Sequence, residues 1–209
     1  MFIKLSYNLK DGDPVFIGNP KNMVTQVNSV ENDGFNTHMV KLFTHNGTHI
    51  DLPLHCDKTG KDMVSYQIDD FIFDNICFRI VDIGPDKLLR VEDVDDRCNF
   101  LLIKTGANRY SDRYHYPPYI DEDTALYLAG LPNLRCIGVD TVSIGNPKYL
   151  DISRNVHRIL LGKPVFIVED MDLSHINHSI VYKMSRIFVI PLFVEGVEGF
   201  PCTVFAEVT

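Results

Sequence analysis

The sequence predicts a strand-rich α/β protein with a few helices packed on its sheet. Three observations lead there. Short runs rich in β-branched and aromatic residues recur along all 209 residues, and several are continuously apolar, as strands covered on both faces are. Only two segments carry helical start and stop signals. No Gly/Ser/Pro-rich linker, repeat or low-complexity segment interrupts the chain, so residues 1–209 are expected to form a single domain.

In chain order, "MFIKLS", "FNTHMVKLF", "NICFRIVDI" and "NFLLIKT" read as strands. "DEDTALYLAGL" (121–131) reads as a helix that opens on acids and sets Ala125, Leu128 and Ala129 on one side. "RCIGVD" returns to strand. "DISRNVHRILLGKP" (151–164) is the second helix, with Asp151 or Ser153 as its cap, Gly162 as its stop and Pro164 beyond. "PVFIVE", "RIFVIPLFV" and "CTVFAEV" complete the strands.

Composition narrows the function classes. An apolar fraction of 45% and a charged fraction of 23% describe an ordinary globular protein. A net charge of −8 without any Lys/Arg cluster argues against a nucleic-acid partner. Five scattered cysteines, never in a C-x-x-C pair, argue against a disulfide framework and point to a reducing cytoplasm. The N-terminal "MFIKLSYNLKDGD" lacks the apolar core of a signal peptide, and "IFVIPLFV" is too short to span a bilayer, so no membrane role is expected.

The chemistry concentrates in "FTHNGTHIDLPLHCD", residues 43–57. His45, His49, Asp51 and His55 all occupy odd positions, which an extended strand would turn to one face. Gly47 and Pro53 oppose a helix, and Gly47 would leave open space in the middle of that face. Burying these four groups together without a cation would strand a carboxylate, so the pattern favours a metal site.

Further donors must come from elsewhere in the chain. His157 lies in the second helix, where it could turn inward. Glu169 ends the strand after it, either solvated or held by something positive, with Asp170 beside it as an ordinary exposed acid. Cys56 falls on the opposite parity and reads as a packing residue. "SHINH" (174–178) lacks H-E-x-x-H spacing and reads as surface or structure. The tyrosine-rich "NRYSDRYHYPPY" (108–119) either packs a loop onto the sheet or walls an aromatic substrate, with Phe16 as a second wall. No G-x-S-x-G elbow or Gly-rich phosphate loop is present.

"HNGTHIDLPLH" resembles the H-x-G-T-H-x-D-x-P-x-H signature of the metal-dependent cyclase-like hydrolases, which include bacterial kynurenine formamidases and isatin hydrolases. The segments around "KLSYNLKDGDPVFIGNP", "FLLIKTGANRY", "IGVDTVSI", "HRILLGKPVFIVEDMDLSHI" and "IPLFVEGVEGFPC" resemble further family motifs, so the similarity runs from about Leu5 to Val208. The resemblance implies a swivelling β/β/α fold, commonly a homodimer or higher homo-oligomer. It implies one divalent metal, Zn or Mn, on His45, His49 and Asp51. A second ion, where present, would sit on His157 with Asp51 and Glu169 shared, and His55 would transfer the proton. The implied activity is hydrolysis of an aryl formamide such as N-formylkynurenine by a metal-activated water. Ring-opening of a lactam such as isatin, a cyclase or dehydratase reaction, and a non-enzymatic metal-stabilised binding protein are the alternatives. Ile17, Asn19, Phe16 and Cys202 depart from the usual Pro, Asp, Trp and Arg, and these differences bear on the substrate pocket.

Overall fold

In the computed structural model, which describes residues 1–111 and 114–209, the continuous apolar runs become the parallel half of a mixed sheet. β6 (Ile76–Ile80), β7 (Phe100–Lys104), β8 (Cys136–Val139) and β9 (Phe166–Glu169) pair in parallel in that order. β9 then pairs antiparallel with the short β4 (His49–Asp51), and β4 pairs antiparallel with β11 (Gly199–Val208). β11 also carries β1 (Phe2–Lys4) and β10 (Met184–Pro191), and β10 pairs with β5 (Ile72–Phe73), giving nine strands in all.

Two cores explain why the parallel strands are apolar on both sides. On one face Phe100, Phe166, Val168, Phe71 and Phe73 pack with Ile187, Val189 and Val204 from the antiparallel strands. On the other face Leu101, Ile103, Ile137 and Ile167 lie under α2 (Glu122–Ala129) and α3 (Leu150–Leu161). Each such fully buried side chain contributes about 1.5–3 kcal/mol. The functional residues therefore sit on a rigid floor, at the line where the parallel and antiparallel halves meet.

The helices form broadly where expected. Asp121 caps α2 by accepting from the Thr124 N–H at 2.9 Å. The expected cap of α3 by Asp151 or Ser153 does not occur. A 3-10 turn over Pro147–Tyr149, capped by Asn146, runs straight into the helix, and Tyr149 takes the cap position without a side-chain bond. Gly162 closes the helix as its spacing suggests. The described residues also form two short helices, α1 (Val30–Asp33) and α4 (His178–Val181). β2 (Met23–Asn28) and β3 (Thr37–Lys41) form a separate hairpin, exposed over nearly its whole length. Among the described residues, no helix is long and apolar enough to cross a membrane.

Candidate active site

The 43–57 segment is less extended than its odd-numbered pattern suggests. Only His49–Asp51 form a strand; His45 lies in the preceding turn, and Pro53–His55 form a 3-10 turn. Gly47 causes the first break: its φ of +76° is a left-handed conformation that a strand cannot hold. Nor does Gly47 leave open space, because a Cβ there would meet the Leu9 side chain at 2.4 Å and Arg109 at 3.3 Å. Pro53 starts the second turn, with the His55 N–H bonding to the Leu52 carbonyl at 2.9 Å.

These bends still bring the expected residues together, by folding a loop and a turn around a short strand. His49 and Glu169 are register partners across β4 and β9, and His157 reaches the same spot from α3. His49 Nε2 lies 3.3 Å from Asp51 Oδ1 and 3.5 Å from Glu169 Oε2. His157 Nε2 lies 3.1 Å from Glu169 Oε1 and 3.7 Å from Asp51 Oδ2. His45 Nδ1 lies 2.7 Å from Asp51 Oδ1, and the His55 ring stacks at a tilt 4.2 Å from that of His45. Asp51, His49, His157 and Glu169 are buried, whereas His55 lines the cavity and keeps part of its surface exposed. A cavity of about 510 Å³ opens onto the cluster, with Phe16, Phe43 and Val142 as its apolar wall and Arg154 and Arg158 also lining it.

The electrostatics of the cluster call for positive charge. Burial alone would raise the Asp51 pKa, yet His45 and His49 hold its carboxyl ionised well below the usual range. Burial likewise works against charged imidazoles, but Asp51 and Glu198 lift His45 to about 10, and Glu169 and Asp51 lift His157 to about 9. His55 moves the other way. Desolvation by the cavity wall, reinforced by His45 and His157 and opposed by Asp51, pushes its pKa below the ordinary imidazole value.

The donor set fits a divalent cation. His49 Nε2 and Asp51 Oδ2 are buried without any hydrogen bond, an expensive arrangement unless a cation completes them. Donor atoms bound at ~2.1 Å in a tetrahedron stand about 3.4 Å apart, close to the spacings above. Among the described residues, two sets of donors are close enough to share an ion, His45–Asp51–His55 and His49–Asp51–Glu169, with Asp51 in both.

Other expectations resolve differently. Asp170 is not a solvated neighbour of Glu169. It is buried with a φ of +54° and accepts from Arg109 at 2.7 Å and Tyr114 at 3.2 Å. Cys56 does line the cavity, but burial and the nearby carboxylates push its thiol up to about 11, so it stays protonated. His175 and His178 lie on the surface. Within 108–119, Asp112 and Arg113 lie outside the described residues. Tyr114 packs inward as in the structural alternative, and none of the loop's described residues lines the cavity. Glu198 was missed altogether. It accepts from His45 Nε2 at 2.9 Å and from the Thr44 hydroxyl at 2.7 Å, yet stands 153 positions from His45 in sequence. The G-V-E-G segment at 196–199 is the only local signal that could have found it.

Comparison with known proteins shows the family and the fold. Residues 3–146 match the family model Cyclase, described as putative cyclase. The kynurenine formamidase of Geobacillus thermodenitrificans (strain NG80-2) is 28% identical over 210 residues, covering 96% of this chain and 94% of that protein. The kynurenine formamidase of Bacillus mycoides (strain KBAB4) is 25% identical over 179 residues, covering 83% and 81%. Among solved structures, isatin hydrolase A from Labrenzia aggregata bound to benzyl benzoate superposes with a TM-score of 0.84 at 17% identity, over 100% of this chain and 94% of that one. A potential metal-dependent hydrolase with cyclase activity superposes at 0.75 with 21% identity, over 99% and 96%. These last two likenesses concern the fold.

Proposed function

The chain belongs to the putative cyclase family, and from that membership and its site geometry we propose that it is a metal-dependent hydrolase of amide bonds. The observation that carries the proposal is the convergence of His49, Asp51, Glu169 and His157 around two buried polar atoms that lack partners. In this reading His45, His49 and Asp51 would hold one divalent ion, Zn or Mn. A second would share Asp51 and Glu169 and be held by His157. A divalent ion there supplies the Lewis acidity that ionises water near neutral pH and polarises a carbonyl.

The protein groups do the rest. Asp51 and Glu169 each offer two oxygens, which suits a position shared between ions. Ser143 Oγ and the Ile144 N–H donate to Glu169 Oε1 at 3.1 and 2.7 Å, fixing that carboxylate and engaging the serine hydroxyl. His55, neutral at physiological pH and open to the cavity, takes a proton from the attacking water and returns it to the departing nitrogen, which leaves poorly without one. Phe16 and Phe43 give the cavity a flat apolar wall suited to an aryl group. An aryl formamide of the N-formylkynurenine kind fits this arrangement. The relatives that share most of the chain's length support that substrate class.

Metal analysis combined with hydrolysis assays on N-formylkynurenine and on isatin, before and after chelation, tests the proposal. Formamide hydrolysis that is lost with chelator and restored by Zn or Mn is the expected result. Failure to bind metal, or turnover indifferent to it, contradicts the mechanism, and preference for isatin reassigns the substrate.

A further inference from the structure

We infer that Glu198 is a positioning residue for His45: it holds the Nε2 edge of that ring, so that His45 presents Nδ1 to the cation while His49 and His157 present Nε2. The inference rests on the metal-site proposal above and adds to it a residue and a donor-atom assignment.

Each of the three imidazoles has one nitrogen tied to an acceptor outside the cluster. His49 Nδ1 lies 2.8 Å from the Gly47 carbonyl, and His157 Nδ1 lies 2.7 Å from the Ser153 carbonyl. A carbonyl can only accept, so the ring proton stays on Nδ1 and Nε2 is left to face Asp51 and Glu169. His45 is reversed. Its Nε2 lies 2.9 Å from Glu198 Oε1, and its Nδ1 lies 2.7 Å from Asp51 Oδ1, inside the cluster. The Thr44 hydroxyl donates to the same Glu198 oxygen at 2.7 Å and seats the carboxylate. A ligand imidazole whose second nitrogen donates to a carboxylate is fixed in tautomer and orientation and made a stronger base.

Backbone geometry puts Glu198 there. The Leu52 N–H bonds to the Glu198 carbonyl at 2.9 Å, and the next residue, Gly199, pairs with Asp51. A Cβ on Gly199 would stand 2.4 Å from the Ile50 carbonyl oxygen and 3.2 Å from His45 Cε1. Only glycine lets β11 approach this closely, and that approach lays the His45 ring against the strand with Nε2 toward residue 198. The Glu198 side chain is 30% exposed, against 1% for Asp51 and 5% for Glu169, so it flanks the cluster from outside.

The test measures Zn²⁺ affinity of metal-stripped full-length protein by competition with a chromogenic chelator, for the native chain, Glu198→Ala and Glu198→Gln. Long-range ¹H–¹⁵N spectra of the Zn²⁺-loaded, ¹⁵N-histidine-labelled proteins report which ring nitrogen is ligated. Glu198→Ala is expected to bind Zn²⁺ about 10–100-fold more weakly. Glu198→Gln, whose amide oxygen still accepts from Nε2–H, should recover most of that loss, with His45 ligated through Nδ1. Affinity in Glu198→Ala within twofold of native overturns the inference, as does ligation of His45 through Nε2. Equal losses in both variants overturn it too, because the carboxylate would then itself be a ligand. A native chain that binds no Zn²⁺ overturns the parent proposal instead.

Discussion

His49 and Glu169 face each other as register partners across β4 and β9, their polar ends 3.5 Å apart and both buried. Backbone pairing between the two halves of the sheet, and not a flexible loop, sets the distance between an imidazole and a carboxylate. Asp51, two residues along β4, lies beside the same pair at 3.3 Å from His49. His49, Asp51 and Glu169 are therefore held by the sheet itself, which suits a pre-formed metal centre.

Asp51 belongs to both possible ion sets, so its loss should empty the site. Asp51→Ala is expected to lose bound metal and to fall at least about 100-fold in kcat/KM. Elemental analysis alongside the assay checks this, and a metal-loaded, active variant contradicts the bridging role.

Metal binding should also release protons. With pKa values lifted to about 10 and about 9, His45 and His157 carry their extra protons at pH 7 in the metal-free protein. A cation must displace them, together with any proton on His49, whose pKa Asp51 also raises, so binding near neutrality is expected to release protons and to weaken as pH falls. Calorimetric titration in two buffers of different ionisation enthalpy counts the protons, and a count near zero contradicts the charge state described here.

How far the site could be read from sequence follows from how local each signal is. The parallel strands were legible because burial on both faces writes an unbroken apolar run, as in Phe100–Ile103. The His45–His55 pattern pointed to residues that do converge, but through an incorrect conformation. Odd spacing is compatible with a strand, but Gly47 and Pro53 turn the chain before and after it, and these bends bring His45 and His55 around Asp51. Glu198 left only the G-V-E-G segment as a local trace, because its role depends on β11 pairing with β4, a contact distant in sequence. Asp170 was misjudged because its partner Arg109 is 61 positions away.

His55 should separate proton transfer from metal binding. His55→Ala is expected to keep its metal while losing about 10²–10⁴-fold in kcat. In the proposed mechanism the neutral ring is the active form, and its pKa lies below the ordinary 6.5. Native activity should therefore persist under mildly acid conditions and fall only as pH drops through that lowered value. This limb should be absent from the variant's profile of kcat against pH. Loss of metal from His55→Ala would make it a ligand, in line with its proximity to His45 and Asp51.

Cys56 lines the cavity beside His55, which invites comparison with thiol hydrolases, but its thiol is held up to about 11 by burial and by Asp51. Cys56→Ser is expected to retain kcat within about threefold, because a protonated thiol is a poor nucleophile. In metal-free protein its alkylation should accelerate only as pH approaches 11, later than for an ordinary thiol. Rapid modification at pH 7 would contradict this.

Arg109 ties the site to the rest of the molecule. Its fully buried guanidinium donates to Asp170 Oδ2 at 2.7 Å and to Asp13 Oδ2 at 3.1 Å, and lies 4.3 Å above the Tyr7 ring. Arg109→Met would leave two buried carboxylates without their cation, at a cost of about 3–5 kcal/mol. Urea unfolding measures the loss, and Arg109→Met combined with Asp170→Asn should recover part of it because one stranded charge is removed. The damage should also reach the metal site. Asp170 follows Glu169, its carbonyl accepts from the Thr48 hydroxyl at 2.5 Å, and Arg109 packs against the Gly47 turn that carries His45. Weakened metal affinity in Arg109→Met under conditions where it remains folded is therefore expected, and native affinity would show that turn to be held by other contacts.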